Sequence, residues 1–193
     1  VDVILGPLIT LAIFNRAKGW PMLRRDLTVV ALVQLLALGY GMWTVFVARP
    51  VFLVFEFERF RVVHAIDVPP SLLDKAPAGM QALPLLGPTM RAVRPFRDAD
   101  EDLSATMAAL EGISLSARPD LWQPYPEARS RVLGAAKPVH LLEKRFPEQV
   151  GQIRREIERS AHSPDTVLYL PMVGRKTFWT ALLDASTAEV IGF

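Results

Sequence analysis

Cysteine is absent from this chain of 193 residues, and its absence removes several kinds of chemistry. Without thiols there is no disulfide framework, no thiolate metal site and no cysteine nucleophile. The three histidines, His64, His140 and His162, are far apart and match no ligand spacing such as HExxH. His140 and Glu143 share a predicted helix face, but they lack a third ligand. We therefore expect no metal site.

A concentrated charge of either sign is also lacking. The chain has 22 basic and 20 acidic residues, which is a net charge of +2. The segment up to Ala48 holds four of the basic and two of the acidic residues, which leaves 18 of each for the remainder. Because phosphate binding needs a concentrated basic face, we do not expect a nucleic-acid partner.

Catalytic motifs are missing as well. The sequence contains no nucleophile elbow, no glycine-rich phosphate loop and no CxxC pair. Glu56 and Glu58 share one face of a predicted strand, as a general acid and base would, but they lie beside Arg59 and Arg61. Salt-paired surface carboxylates are the commoner explanation of such a pattern. We expect no enzymatic activity and no catalytic residue.

The most informative stretch that is present is a long apolar run from Leu27 to Val47. It is 21 residues long, carries no formal charge and has Gln34 as its only strongly polar side chain. A bilayer core of about 30 Å needs about 20 apolar residues at the helical rise. The run therefore predicts a transmembrane helix.

A shorter apolar segment precedes this run at residues 1–14. It is too short to span a bilayer, and it starts without an initiator Met, so we interpret it as the second half of another transmembrane helix in a chain that lacks its natural start. A core helix of a soluble protein is the alternative. The loop 15–26 carries four basic residues, and the positive-inside rule makes it cytoplasmic. Residues 1–48 then form a transmembrane helical hairpin, and residues 49–193 form a periplasmic domain.

Three residues are candidates for contacts with a partner inside the membrane: Asp2, Gln34 and Tyr40. A carboxylate within hydrocarbon is costly and usually has a partner or a role. The helical rise places Asp2 and Tyr40 at similar depths, about 20 Å from the cytoplasmic edge. We hypothesise that the Tyr40 hydroxyl donates a hydrogen bond to Asp2 inside the hairpin. The alternative is that Asp2 reaches an interface or pairs with sequence that precedes Val1.

After Pro50 the apolar period changes from helical to two, which predicts a strand over 51–57. A two-residue reversal at Glu58–Arg59 would make a hairpin that pairs Phe57 with Phe60; one bent strand is the alternative. A short helix at 67–76 and a strand at 90–94 follow. An acidic cluster at 98–102 then opens a helix, and we interpret the cluster as capping rather than metal binding. The expected buried stripe of that helix is Leu103, Met107 and Leu110, and its expected end is Gly112.

The last third of the chain predicts helices and then strands. Helical segments start near Glu127, Val139 and Pro147, and the last one has an apolar stripe at Val150, Ile153 and Ile157. Strand-like runs at 166–173, 177–184 and 188–193 should pair as an antiparallel meander. The predicted fold class of the domain is α+β, with an antiparallel sheet covered on one face by helices.

The segment from Asp2 to Val63 resembles the TfpX/TfpZ-type type IV pilin accessory proteins. The resemblance is carried by an Asp-x-x-x-Gly-Pro element, an Asp-Leu helix opening, the single Gln, a Tyr-Gly pair, an Ala-Arg-Pro-Val exit and an Arg-Phe-x-Val-Val strand, all in order. The family pattern usually has Asp where this chain has Glu58. Beyond Val63 the resemblance is looser.

This resemblance implies an inner-membrane protein that assists a cognate type IV pilin, by acting on its stability, its assembly or the dynamics of the pilus. It also implies no enzymatic activity and no cofactor. The expected partners are the pilin and the lipid bilayer, with no evident small-molecule substrate. Two alternatives stay open: a subunit of another envelope complex, or a membrane-anchored periplasmic enzyme.

Overall fold

The computed structural model describes Gly6 and residues 20–193, and the chain divides into two compact units, 1–48 and 49–193. In the first unit, helix α1 runs over Trp20–Val47, 28 residues or about 42 Å. It begins earlier than the apolar run, so residues 20–26 of the predicted loop 15–26 are helical. Pro21 explains the early start, because proline suits a first helical turn. The rest of that loop and the first apolar segment lie outside the described residues.

The second unit is built on an open, mixed sheet of eight strands, ordered β4-β3-β1-β2-β6-β7-β8, with β5 pairing to β6. The strands are β1 (Pro50–Glu56), β2 (Arg59–His64), β3 (Thr89–Val93), β4 (Trp122–Pro124), β5 (Lys137–Pro138), β6 (Val167–Val173), β7 (Phe178–Asp184) and β8 (Val190–Gly192). The α-helices are α2 (Pro70–Leu73), α3 (Ala99–Leu110), α4 (Arg129–Ala135), α5 (Val139–Arg145) and α6 (Val150–Arg159).

The antiparallel meander of β6, β7 and β8 is confirmed. The prediction of a wholly antiparallel sheet is wrong, because β1 runs parallel to β3 and β2 runs parallel to β6. Parallel neighbours need long crossover connections, and residues 65–88 and 94–166 supply them. Alternating apolar residues identify strands, but they do not determine which strands become neighbours.

The β1–β2 hairpin is confirmed with a different register. The reversal is at Phe57–Glu58, so that Glu56 pairs with Arg59 and Phe55 with Phe60. Phe57 has a φ of +57°, and the Glu58 amide donates to the Glu56 carbonyl at 2.8 Å, which is the geometry of a γ-turn. This register buries Phe60 beside Phe55 and leaves Phe57 half-exposed at the turn, whereas the predicted register would have kept Phe57 in the strand.

Both faces of β1 are covered, so the prediction of helices on one face only is wrong. Phe52 packs on Trp122 on one face, with 4.6 Å between ring centroids. Phe55 and Phe60 pack with Tyr125 and other apolar residues on the opposite face. The physical reason is that successive residues of β1 are apolar, which is typical of a central strand buried on both sides.

The helices follow the predicted segments closely. Asp98 caps α3 by accepting a hydrogen bond from the Glu101 amide at 2.8 Å, and Gly112 lies just beyond its end with a φ of +91°. Helix α6 turns Ile157 inward, with Val150 and Ile153 partly buried, as its spacing predicts.

The prediction that Leu103, Met107 and Leu110 are buried is wrong, because these three side chains are 56%, 54% and 79% exposed. Ala105, on the opposite side of α3, is the buried residue. Glu101 lies one turn before Ala105 on that same side and accepts two hydrogen bonds of 2.7 Å from Arg94. This ion pair and the small alanine turn the leucine stripe outward.

Candidate functional site

Helix α1 exposes an apolar surface over its whole length. Leu36 and Tyr40 are each 74% exposed, and no residue of the most apolar part of the helix is buried. A helix in water would turn at least one apolar stripe inward. By length and composition, α1 can therefore cross a membrane.

Gln34 is in contact with Gly6, which lies 28 residues earlier in the chain. The Gln34 side-chain amide Nε2 donates to the Gly6 carbonyl at 3.3 Å. A Cβ atom placed on Gly6 would lie only 3.3 Å from the same nitrogen, so glycine permits this close approach. The contact joins two elements of the sequence pattern, the Gly-Pro element and the single glutamine. Sequence reasoning singled out Gln34 but missed Gly6 as its acceptor.

Tyr40 does not share a helix face with Gln34. Six residues at 100° each place Tyr40 about 120° away around the helix. Its hydroxyl-bearing ring is exposed, and its carbonyl accepts a hydrogen bond from the Thr44 hydroxyl at 2.9 Å. Asp2 lies outside the described residues, so the Asp2–Tyr40 hydrogen bond stays a prediction.

In the second unit, Glu56 is a buried carboxylate in an ion pair. Its Oε2 lies 3.2 Å from Arg61 Nε, and its Oε1 lies 3.6 Å from Arg59 Nη2. Glu58 sits in the turn rather than on the strand, so Glu56 and Glu58 do not share a strand face. The arrangement neutralises Glu56 and does not form an acid–base pair.

A cleft of about 520 Å³ lies beside the end of β2, with Arg61, Asp67, Glu111 and Arg175 in its wall. Arg175 donates to Asp67, and His64 donates to the same carboxylate through its backbone amide at 3.1 Å. Burial raises the pKa of Asp67, but these hydrogen bonds outweigh burial and hold it below its ordinary value. Asp67 and Arg175 are paired with each other across this cleft, and Arg61 is paired with Glu56, which suits structural ion pairs.

Among Gly6 and residues 20–193, no three side chains of the metal-ligating types lie together in a group that could hold a metal ion. The acidic cluster that opens α3 has other partners, since Glu101 is bound by Arg94 and by Arg97. The three hydrogen bonds from Arg97 to Glu101 and the Asp98 cap belong to the start of the helix. This agrees with the interpretation of the cluster as capping.

The exposed stripe of α3, formed by Leu103, Met107 and Leu110, is hereafter the α3 outer face. Asp100 and Glu111 are exposed and border it on one side of the helix. On the opposite side of α3 the buried residue is Ala105, whose small side chain allows the helix to pack closely on the domain. The α3 outer face is an apolar surface with an acidic border.

Similarity to known proteins extends along almost the whole chain. The chain is 29% identical over 189 residues to the fimbrial assembly protein of serogroup E1 from Dichelobacter nodosus. The alignment covers 95% of this chain and 72% of that protein. The similarity to the serogroup I protein of the same organism has the same extent and identity. These relatives are fimbrial assembly proteins.

A third relative, the fimbrial assembly protein of serogroups C1 and C2 from Dichelobacter nodosus, is 36% identical over 77 residues, which is 40% of this chain and 56% of that protein. No family model matches the chain, and no solved structure matches it. The relatives suggest a role in fimbrial assembly. Together with α1, they are consistent with association with a membrane.

Proposed function

We propose that this protein is a non-catalytic accessory protein of the bacterial inner membrane that binds a type IV pilin and assists its assembly into fimbriae. The observation that carries the proposal is the similarity to fimbrial assembly proteins over 95% of the chain. The resemblance of residues 2–63 to the TfpX/TfpZ-type accessory proteins supports the finer assignment to pilins. The exposed apolar surface of α1 supports the membrane anchor.

Within the membrane, α1 supplies the proposed contact with the pilin. Type IV pilins reside in the inner membrane through an apolar helix that contains a glutamate, as the resemblance implies. The Gln34 amide bonds Gly6, whereas Tyr40 lies on another face of α1 and is exposed. Polar side chains in membrane helices form hydrogen bonds across helix interfaces, so Tyr40 is the better candidate for contact with the pilin helix. Asp2 and Gln34 remain candidate contacts of the same kind.

Outside the membrane, the α3 outer face supplies a second proposed contact with the pilin. Leu103, Met107 and Leu110 form an exposed apolar stripe on a helix whose buried residue is Ala105, and exposed apolar patches mark sites of protein interaction. The border of Asp100 and Glu111 favours a partner whose own apolar stripe is flanked by basic residues. An α-helix or a strand of the pilin head can provide such a stripe.

The orientation proposed for α1 places residues 49–193 in the periplasm. Arg24 and Arg25 lie in the first turns of α1, and positive charge of this kind accumulates on the cytoplasmic side. A fusion of alkaline phosphatase after Phe193 tests this arrangement. We expect an active phosphatase; an active cytoplasmic reporter at the same position would reverse the orientation.

The test of the function is isolation of the full chain from detergent-solubilised membranes of cells that make the cognate pilin. We expect the pilin to be recovered with the wild-type chain and in reduced amount with Leu103→Ser/Leu110→Ser. The matched control is Asp102→Asn, which changes an exposed residue of α3 outside the apolar stripe. Recovery of another envelope protein in place of the pilin would overturn the proposal.

A further inference from the structure

Two adjacent leucines are among the most exposed apolar residues of the second unit: Leu85 is 73% exposed and Leu86 is 91% exposed. They lie in the connection between α2 and β3, and Gly87 follows them with a φ of +59° that turns the chain. Both ends of the connection are fixed, because Leu83 packs on the core and Thr89 begins β3. The leucines therefore stand on a loop with fixed ends.

This loop is hydrogen-bonded to the first residue of the second unit. Arg49 Nη2 donates to the Pro84 carbonyl at 3.2 Å, directly before the two leucines. The Arg49 carbonyl accepts from the Ala65 amide at 3.0 Å, directly before Ile66, which is also exposed. Leu85 and Leu86 thus follow Pro84, and Ile66 follows Ala65. Pro84 and Ala65 are both hydrogen-bonded to Arg49.

The position of Arg49 along the chain gives its depth relative to a bilayer. Arg49 is the second residue after α1 ends at Val47, and two residues span at most about 8 Å. The headgroup layer on each side of a bilayer is about 5 to 8 Å thick. If α1 crosses the membrane, Arg49 lies within or at the edge of this layer, and Pro84 and Ala65 lie within one arginine side-chain length of it.

We propose that Leu85, Leu86 and Ile66 insert into the boundary between headgroups and acyl chains on the side of the membrane that faces the second unit. The inference rests on the proposed membrane crossing of α1. The ligand is the lipid surface itself: acyl chains receive the apolar side chains, and phosphate groups lie at the level of the Arg49 guanidinium. This second attachment limits rotation of the domain about its anchor and so fixes which of its surfaces face a membrane-bound partner.

Single cysteines provide the test, because the chain has none of its own. The full chain is placed in nanodiscs of phosphatidylethanolamine and phosphatidylglycerol at three to one, and an environment-sensitive NBD dye is attached at Leu86→Cys. Leu110→Cys on α3 and Leu36→Cys on α1 are the matched controls, since both are exposed leucines. Quenching is measured with lipids that carry a doxyl group at carbon 5 or carbon 12, and with aqueous iodide.

We expect the dye at Leu86 to be quenched at least twofold more by the carbon-5 lipid than the dye at Leu110, and to be protected from iodide. The dye at Leu36 should be quenched most by the carbon-12 lipid. If the Leu86 dye behaves like the Leu110 dye while the Leu36 dye is quenched by lipid, the loop contact is wrong and the membrane crossing stands. If iodide quenches the Leu36 dye as well, the membrane crossing and this inference both fail.

Discussion

Helix α1 has its apolar residues on the outside, whereas the sheet of the second unit has its apolar residues on the inside. In α1, Leu36 and Tyr40 point outward and are largely exposed, whereas Phe52, Phe55 and Trp122 of the second unit are fully buried. Apolar side chains lie on the outside when the surrounding solvent is hydrocarbon and on the inside when it is water. The contrast is consistent with association of α1 with a membrane.

Several regions of the second unit break this contrast, including the exposed Phe178 and Trp179 at the start of β7, and two of them have proposed partners. These two are the α3 outer face and the pair Leu85–Leu86, where leucines are exposed on a domain whose core is otherwise well filled. The proposed partner of the α3 outer face is a pilin, and the proposed partner of Leu85 and Leu86 is the lipid surface. Substitutions of buried residues should therefore lower the free energy of unfolding more than substitutions of these exposed residues.

The largest effect should come from Trp122→Ala. Trp122 is fully buried against Phe52, and its indole Nε1 donates to the Ser116 carbonyl at 2.9 Å. Removing this side chain should lower the free energy of unfolding by about 3–5 kcal/mol. Denaturant unfolding of the full chain in micelles measures it. Leu36→Ala in α1 is the control, and an equal loss there would contradict the distinction between interior and exterior.

A smaller loss is expected for Glu101→Gln. The Glu101 carboxylate accepts two hydrogen bonds of 2.7 Å from Arg94 and further bonds from Arg97, and its side chain is 13% exposed. Loss of the charge should cost about 1–3 kcal/mol of unfolding free energy. Asp102→Asn, on the exposed side of α3, should change it by less than about 0.5 kcal/mol. Equal effects of the two substitutions would show that the ion pair does not hold α3.

The same carboxylate predicts a dependence on pH. Hydrogen bonds from the Arg94 guanidinium lower the pKa of Glu101 well below its usual range. Its unfolded pKa is about 4.3, so its contribution is full above about pH 5 and declines as the pH falls toward the folded value. The stability difference between wild type and Glu101→Gln should therefore shrink between pH 5 and pH 3. A stability difference that stays constant over this range would argue against the ion pair of Glu101 with Arg94.

Tyr125→Phe should have a moderate effect. The buried Tyr125 hydroxyl donates to the Ala188 carbonyl at 2.5 Å, and burial raises the pKa of this hydroxyl to about 12. The substitution leaves that carbonyl without this donor, at a cost of about 1–2 kcal/mol. Because the hydroxyl stays protonated, the difference from wild type should not vary between pH 6 and pH 9. A difference that grows with pH would contradict the assignment.

The smallest effect on stability is expected for Leu103→Ser/Leu110→Ser in the α3 outer face. Because both side chains are exposed, the free energy of unfolding should change by less than about 0.5 kcal/mol per substitution. A loss of 2 kcal/mol or more would mean that these leucines pack within the domain. Recovery of the pilin should fall with the same variant, so the two measurements separate a binding role from a structural one.

The sequence predicted the strands and helices better than their arrangement. The Asp98 cap, the end at Gly112 and the stripe of α6 were predictable, because each depends on residues within a few positions of one another. The outward turn of Leu103 was not, since it depends on Arg94, which lies outside the helix and binds Glu101. An ion pair between a helix and a residue that precedes it, and a parallel pairing of strands, leave no periodic signal.

For the candidate intramembrane residues, too, the sequence predicted the residues better than their contacts. Gln34 was identifiable as the only strongly polar side chain of an apolar run, and the structure gives it a partner in the Gly6 carbonyl. That partner was not predictable, because a backbone acceptor can belong to any residue. Tyr40 was identifiable by its predicted depth, level with Asp2, and the contact proposed for it stays a prediction.

The most direct test of the central claim is photo-crosslinking from Tyr40 in living cells. A photoreactive amino acid replaces Tyr40 in the full chain, with Leu36 and Trp43 as further exposed positions on α1 and Leu23, a buried residue, as the control. Our account predicts a covalent adduct with the type IV pilin from Tyr40 and none from Leu23. Failure to capture the pilin from any exposed position of α1 would contradict binding of the pilin helix within the membrane.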